Sequence, residues 1–195
     1  MASFYDRVKR SISGVITPKP WLINLFGGTS TSAGESVSST NAPKVATVYA
    51  CVNLIADTIA SLPFRLMRET EEGTVYVPGL IDDLVRRAPN GDYNSYTFRK
   101  AMLTQLLLRG NAYVLPIREG SSLSGFELVD TDLVEVDTTD GVLRYQVHLT
   151  NGVKLRLKPS QIIHLKLWTL DGIQGVSPIT YARETIGTSM AATKH

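Results

Sequence analysis

Leu106–Val129 reads LLLRGNAYVLPIREGSSLSGFELV, and a change of period inside it decides the fold. Up to Arg109 the apolar residues recur at three- and four-residue spacing. Phe98, Met102, Leu103, Leu106 and Leu107 make one face of a helix expected from about Ser95 to Arg109. Gly110 sits where a left-handed residue ends such a helix. After it the pattern alternates. Asn111–Arg118 and Gly125–Val129 read as the arms of a hairpin around Gly120–Ser124.

Working outward from there, the alternation continues toward the C-terminus. Leu133–Val136, Leu143–Leu149, Val153–Leu157 and Ile162–Leu167 read as short strands, with the turn pairs Asp140-Gly141 and Asn151-Gly152 between them. Pro178–Lys194 is helical again, with Ser177 as a cap and Pro178 in its first turn. Toward the N-terminus lies a short helix, Leu80–Arg87, and a hairpin of Pro63–Arg68 and Thr74–Val77. A long helix precedes them. It opens at Pro43, with Thr40 or Asn41 able to cap it, and carries an apolar stripe through Val45, Val48, Tyr49, Val52, Ile55, Ala56, Ile59 and Leu62 until Pro63 stops it. Cys51 lies beside that stripe, so it is expected to be buried there as a small hydrophobe.

Strands cluster instead of alternating with helices, which gives an α+β fold: two long helices packed on a mainly antiparallel sheet of short strands, and a C-terminal helix. Residues 27–42, GGTSTSAGESVSSTNA, hold too few apolar groups to offset the entropy of ordering them. The domain boundary is placed there, leaving residues 1–42 as an N-terminal arm and linker and 43–195 as the folded domain. Phe4, Val8 and Ile12 give the arm a short amphipathic helix. It reads as a terminal helix, with a membrane-surface or partner-docking helix as the alternative.

The 195 residues are 43% hydrophobic and 19% charged, enough apolar content for a core. Twenty basic against 18 acidic residues give a formal charge of +2, and the sum is unevenly spread. Residues 1–45 carry five basic and two acidic groups; the rest carry 15 and 16. The folded part thus lacks the broad basic footprint of a duplex-DNA binder. One cysteine forms no intrachain disulfide, which fits a reducing compartment. No run approaches the ~18 apolar residues of a membrane span.

Motifs for chemistry are scarce. Neither G-x-x-x-x-G-K-[ST] nor G-x-G-x-x-G occurs, and Gly172-Ile-Gln-Gly175 matches a phosphate loop only loosely. His148 and His164 fall in different strands and read as ordinary half-exposed strand residues; a metal site would need a third ligand such as Asp171. Asp130, Asp132, Glu135, Asp137 and Asp140 form an acidic cluster around turns, read as a solvated edge. Lys154, Arg156 and Lys158 alternate with leucines, which puts three positive charges on one strand face. That face is a candidate contact for phosphates or an acidic partner, against the simpler reading of lysines guarding a sheet edge. The residues give no catalytic, cofactor-binding or metal constellation. A binding module or an assembly part fits them, with an enzyme whose site escapes motif search, or a small nucleic-acid-binding module, as alternatives.

Three stretches carry a resemblance. They are Thr47–Phe64 (TVYACVNLIADTIASLPF), the series Ala88-Pro-Asn90, Thr97-Phe-Arg99 and Leu108-Arg-Gly-Asn-Ala-Tyr113, and Asp171-Gly-Ile-Gln-Gly-Val-Ser-Pro-Ile179 followed by Ala182-Arg183. In this order they resemble the portal protein family of tailed double-stranded DNA bacteriophages, of the long-tailed-phage type. The resemblance implies a structural subunit of a dodecameric ring at one capsid vertex, through which the terminase motor packages DNA and from which DNA leaves toward the tail. It implies as partners the other portal subunits, the terminase large subunit, the major capsid protein, a head–tail adaptor and the DNA in the channel. It places the protein in the virion, and in the bacterial host cytoplasm during assembly, with no cofactor, catalysis or membrane. Family members continue into stem, clip and crown, so the resemblance covers the arm and most of the wing. Asp171, Gly172, Gly175, Ser177 and Pro178 are then a structural motif: glycines for a tight backbone path, Ser-Pro to start a helix.

Overall fold

The computed structural model describes residues 42–149 and 152–178. The expected arm, the Thr40 or Asn41 cap, Asn151 and the helix beyond Pro178 lie outside these residues.

The first helix, α1 (Ala42–Ser61), ends two residues before Pro63. A hairpin of β1 (Met67–Thr70) and β2 (Gly73–Tyr76) follows, then the short α2 (Leu80–Arg86). The second long helix, α3 (Ser95–Arg109), is capped at both ends. The Asn94 side chain accepts from the Thr97 N–H, and Gly110 closes the last turn at φ +78, donating to the Leu106 carbonyl at 2.8 Å. Asp57 on α1 accepts from the Tyr96 hydroxyl and the Lys100 ammonium, both at 2.7 Å, and so ties the two long helices together.

The strands then run without a helix between them: β3 (Asn111–Glu119), β4 (Ser122–Val129), β5 (Val134–Asp137), β6 (Arg144–His148), β7 (Lys154–Leu157) and β8 (Ile163–Lys166). They form two three-stranded antiparallel sheets, ordered β4-β3-β8 and β5-β6-β7. The expectation of a single mainly antiparallel sheet is thus refined to two sheets and a separate hairpin. The core lies between the two sheets. Tyr113, Leu115 and Val129 from one meet Tyr145, Val147 and Leu155 from the other. Ala112 and Val114, on the opposite face of β3, are buried too, and α3 packs on β3 while α2 packs on β4. Burial on both faces explains why Asn111–Leu115 carries little polar alternation.

Two expectations are corrected. Cys51 is exposed. The inner face of α1 is carried by Ala56 and Ala60, both fully buried, whereas Cys51, Leu54 and Ile55 lie on the outer face. A helix apolar all round has no unique stripe, so periodicity misplaced the thiol. On α3, Phe98 is buried, but Met102, Leu103, Leu106 and Leu107 are only half-buried, and Leu108 is the deep residue at 3% exposure.

Candidate functional site

The described parts of the second and third stretches that carry the family resemblance meet in space. Gly110 and Asn111 leave α3 and enter β3; Gly175, Val176 and Ser177 come back against them 64 residues later. The Gly175 N–H needs an acceptor and its C=O needs a donor, both buried. The Asn111 carboxamide supplies both. Its Oδ1 accepts from the Gly175 N–H at 2.7 Å and its Nδ2 donates to the Gly175 carbonyl at 2.7 Å. This backbone pairing fixes which way the amide faces.

His164 extends the network. It lies opposite Tyr113 in the β3–β8 register, and its Nε2 is 2.8 Å from Asn111 Oδ1. That oxygen has no proton to give, so Nε2 carries the hydrogen. The bare Nδ1 therefore accepts from the Tyr145 hydroxyl at 3.1 Å, reaching across to β6. The Tyr113 ring stacks on the imidazole with centroids 4.4 Å apart, and Tyr145 meets it edge-on at 5.6 Å. Burial, with Lys166 adding to it, lowers the His164 pKa to about 4, and burial pushes Tyr113 up to about 12. Both sheets and the returning loop are thus joined through one neutral histidine.

Glycine is required at the crossing. A Cβ on Gly175 would lie 2.0 Å from the Gly110 carbonyl oxygen and 3.0 Å from the Leu167 nitrogen. One on Gly110, itself left-handed, would lie 2.5 Å from the Val176 carbonyl. The Leu167 N–H donates to Gly110 O at 2.9 Å, Val176 N–H donates to Trp168 O at 2.8 Å, and the Ser177 hydroxyl donates to Leu108 O at 2.6 Å. The loop tip is held by Asp171. Its Oδ1 accepts from the N–H groups of Ile173 and Gln174 and from the Thr169 hydroxyl. Those donors hold its carboxyl down at about 2, the Gln174 and Ile173 amides most strongly. Gly172 follows at φ +73 in open space, and Pro178 is the last described residue.

The Ala88-Pro-Asn90 stretch makes a second clamp. Asn90 Oδ1 accepts from the N–H groups of Asp92 and Tyr93, while its Nδ2 donates to the Phe126 carbonyl and the buried Glu127. The Phe126 N–H donates to Pro89 O at 2.7 Å. A third polar knot centres on Asp82, 1% exposed, which accepts from the Leu66 N–H, the Tyr76 hydroxyl and Arg86 Nε.

The remaining candidates are spread out. Lys154 and Arg156 project from β7, an edge strand, and Lys158 follows it as an exposed residue ahead of the Pro159–Gln161 turn. Arg156 reaches Asp137 at 3.8 Å. His148 faces Glu135 at 3.3 Å and does not approach the His164 network. Of the acidic cluster, Asp132 pairs with Arg109 at 2.6 Å and Asp140 with Arg144 at 2.9 Å. Among the described residues no three His, Cys, Asp or Glu side chains group as metal ligands, and no helix is long and apolar enough to cross a membrane. Sequence reasoning missed Asn111 and Tyr145 and took His164 for an ordinary strand residue. The available signal was an asparagine directly after a helix-ending glycine, inside a stretch already singled out.

Known proteins resemble this chain in sequence and fold. The family model described as phage portal protein matches residues 46–195. The chain is 29% identical over 188 residues to the probable portal protein of Streptomyces phage phiC31, covering 90% of this chain and 40% of that one. It is 30% identical over 164 residues to the portal protein of Enterobacteria phage HK97, covering 80% and 38%. The chain therefore spans about two fifths of the length of these two relatives. Among solved structures, a chain in the neck of the empty gene transfer agent particle aligns with TM-score 0.64 at 24% identity, over 89% of this chain and 44% of that one. An HK97 family portal protein from Corynebacterium diphtheriae aligns with TM-score 0.51 at 17% identity, over 80% and 48%. These two show the same fold. The stretches that build the Gly110–Gly175 crossing fall within the matched residues, and the chain belongs to the phage portal protein family.

Proposed function

We propose that this chain is the N-terminal, wing-forming part of a structural subunit of a portal ring, set at one vertex of a virion, through which DNA is packaged and ejected. The family match over residues 46–195 carries the reading. The ring is supported by the particles in which the structural relatives sit, among them the neck of the native gene transfer agent particle in C12 symmetry. The partners follow from it: other portal subunits, the terminase large subunit, the major capsid protein, a head–tail adaptor and the duplex in the channel. Assembly takes place in the bacterial host cytoplasm. Residues 1–42 act as the arm and 43–195 as the wing. The role is architectural, with Asp171, Gly172, Gly175, Ser177 and Pro178 as scaffold rather than catalytic groups. ATP turnover abolished by a point substitution in this chain would contradict that role.

The test is a chimera. The matching segment of the HK97 portal protein is replaced by residues 46–195, and the product is imaged by negative-stain electron microscopy. Closed rings are expected. A soluble, folded chimera that stays monomeric would refute the reading.

A further inference from the structure

The charges of this chain are sorted along it. From Glu119 to Leu143 there are seven acidic residues and no lysine or arginine; from Arg144 to Leu170 there are five lysines and arginines and no acidic residue. The fold turns this order into space. β5, carrying Glu135 and Asp137, and β7, carrying Lys154 and Arg156, are the two edges of one sheet, with β6 between them. Part of the charge is met internally, by Arg156 on Asp137 and Arg144 on Asp140. Asp132 is met by Arg109, and Glu135 faces only His148. Among the described residues Glu135 has no lysine or arginine partner, and Lys154 and Lys158 have no carboxylate partner. Glu135 and Arg156 leave 63% and 69% of their side chains exposed.

Charges on an edge strand ordinarily keep other strands away. That purpose is served by either sign, or by both mixed. Here one edge is acidic and the other basic, which discriminates. A two-fold contact would set β7 against β7 or β5 against β5, like charge on like. A head-to-tail contact sets unlike charges together. Both edge strands are antiparallel to β6, so they run in the same direction. Successive copies related by rotation about a ring axis therefore present one edge to the other in a constant sense.

We propose that the basic β7 edge of one copy of this chain meets the acidic β5 edge of the next. The proposal rests on the reading of the chain as a ring subunit. It assigns to Lys154, Arg156 and Lys158 a partner that is the acidic edge of a second copy.

The experiment is sedimentation of the full chain at about 0.05 M and about 0.5 M salt, which changes the screening length severalfold. Three proteins are compared: the wild type, a basic-edge reversal (Lys154→Glu, Arg156→Glu, Lys158→Glu) and an acidic-edge reversal (Glu135→Lys, Asp137→Lys). Wild type is expected to self-associate at low salt and to weaken about tenfold or more at high salt, with each reversal alone weakening it comparably. Mixing the two reversals should restore association, because the altered edges again carry opposite signs; this also shows that both variants are folded. Self-association unchanged by either reversal, or no association of the wild type at low salt, would overturn the proposal. So would binding of a short DNA duplex that depends on the three basic residues without any association of copies. Carrying the reversals into the HK97 chimera separates the two readings. Rings that persist despite a reversed edge would remove the edge contact and leave the ring reading standing, whereas a chimera that forms no ring before any reversal strikes the ring reading itself.

Discussion

Replacing Asn111 by alanine tests the crossing directly. The carboxamide makes three bonds of 2.7–2.8 Å, to the Gly175 N–H, the Gly175 carbonyl and His164 Nε2. Alanine leaves all three groups without their partner, and Gly175 is buried too deeply for water to substitute freely. At about 1–3 kcal/mol for each stranded group, and with partial relaxation, the loss should be roughly 3–6 kcal/mol. That is a large share of the ~5–15 kcal/mol by which domains are folded. Urea unfolding followed by circular dichroism reads it as a shift of midpoint at constant slope. A loss below about 1 kcal/mol would refute the claim that Asn111 satisfies this crossing. Asn111→Asp sharpens the test. The ionised carboxylate keeps both acceptor bonds but faces the Gly175 carbonyl with an oxygen instead of an N–H. Protonated, it regains a donor there. The folded carboxyl pKa is thus raised above its unfolded value, so the deficit relative to wild type should shrink as pH falls toward about 4. A deficit independent of pH would show that the donor to Gly175 O is unimportant.

Gly175→Ala should cost at least about 3 kcal/mol, because the atoms in its way are backbone, whereas Gly172→Ala, in open space, should cost only the left-handed strain of about 1–2 kcal/mol; equal losses in urea unfolding would contradict the difference. Leu108→Ala should cost about 2–5 kcal/mol and the half-buried Leu106→Ala distinctly less, and a reversed order would place the core of α3 elsewhere. Cys51 should react with a thiol reagent in native buffer at nearly the rate seen in denaturant, and protection without denaturant would contradict the outward orientation of that face of α1. His164 is neutral in the fold down to about pH 4 against ~6.5 when unfolded, so its contribution is complete above ~6.5 and is lost as pH falls from there to about 4. The wild-type denaturation midpoint should fall over that window more steeply than that of His164→Gln, and parallel curves would remove the histidine from the account.

Much of the fold was legible because local rules governed it. Gly110 could be read as the end of α3, since only a left-handed residue closes that turn without strain, and the strands between it and Lys166 were visible from their alternation. The division into two sheets was not legible, because four-residue strands such as β5 and β7 carry no statement of which neighbour they pair with. Cys51 was misplaced for a related reason: α1 presents alanines inward and larger apolar residues outward, so amplitude of hydrophobicity pointed to the wrong side. The crossing was half legible. Gly172 and Gly175 were marked as a tight path, but nothing in the spacing of either segment tells Asn111 that its two backbone partners lie 64 residues away. Asp82 and Glu127 went unseen as buried acids because donors such as the Leu66 N–H and the Asn90 amide come from elsewhere in the chain.

A histidine between a tyrosine and an asparagine has the residue types of a catalytic relay, and the electrostatics decide against that use. General acid–base catalysis needs a group poised near the working pH. Here burial drives the histidine down to about 4 and Tyr113 up to about 12, and it raises Tyr145 as well. Every shift moves a group away from neutrality of pH and toward neutrality of charge. The hydrogen bonds agree. His164 spends its donor on Asn111 and its acceptor on Tyr145, and Asn111 spends its amide on the Gly175 backbone. Within this set neither ring nitrogen is left for a substrate. What the arrangement supplies is fixed geometry, because each member's orientation is determined by the next, from the Gly175 peptide to β3, β8 and β6. The path of the chain out of the two-sheet core through Gly175, Val176 and Ser177 is then set by backbone contacts that only glycine permits, and the direction in which Pro178 leaves follows from them.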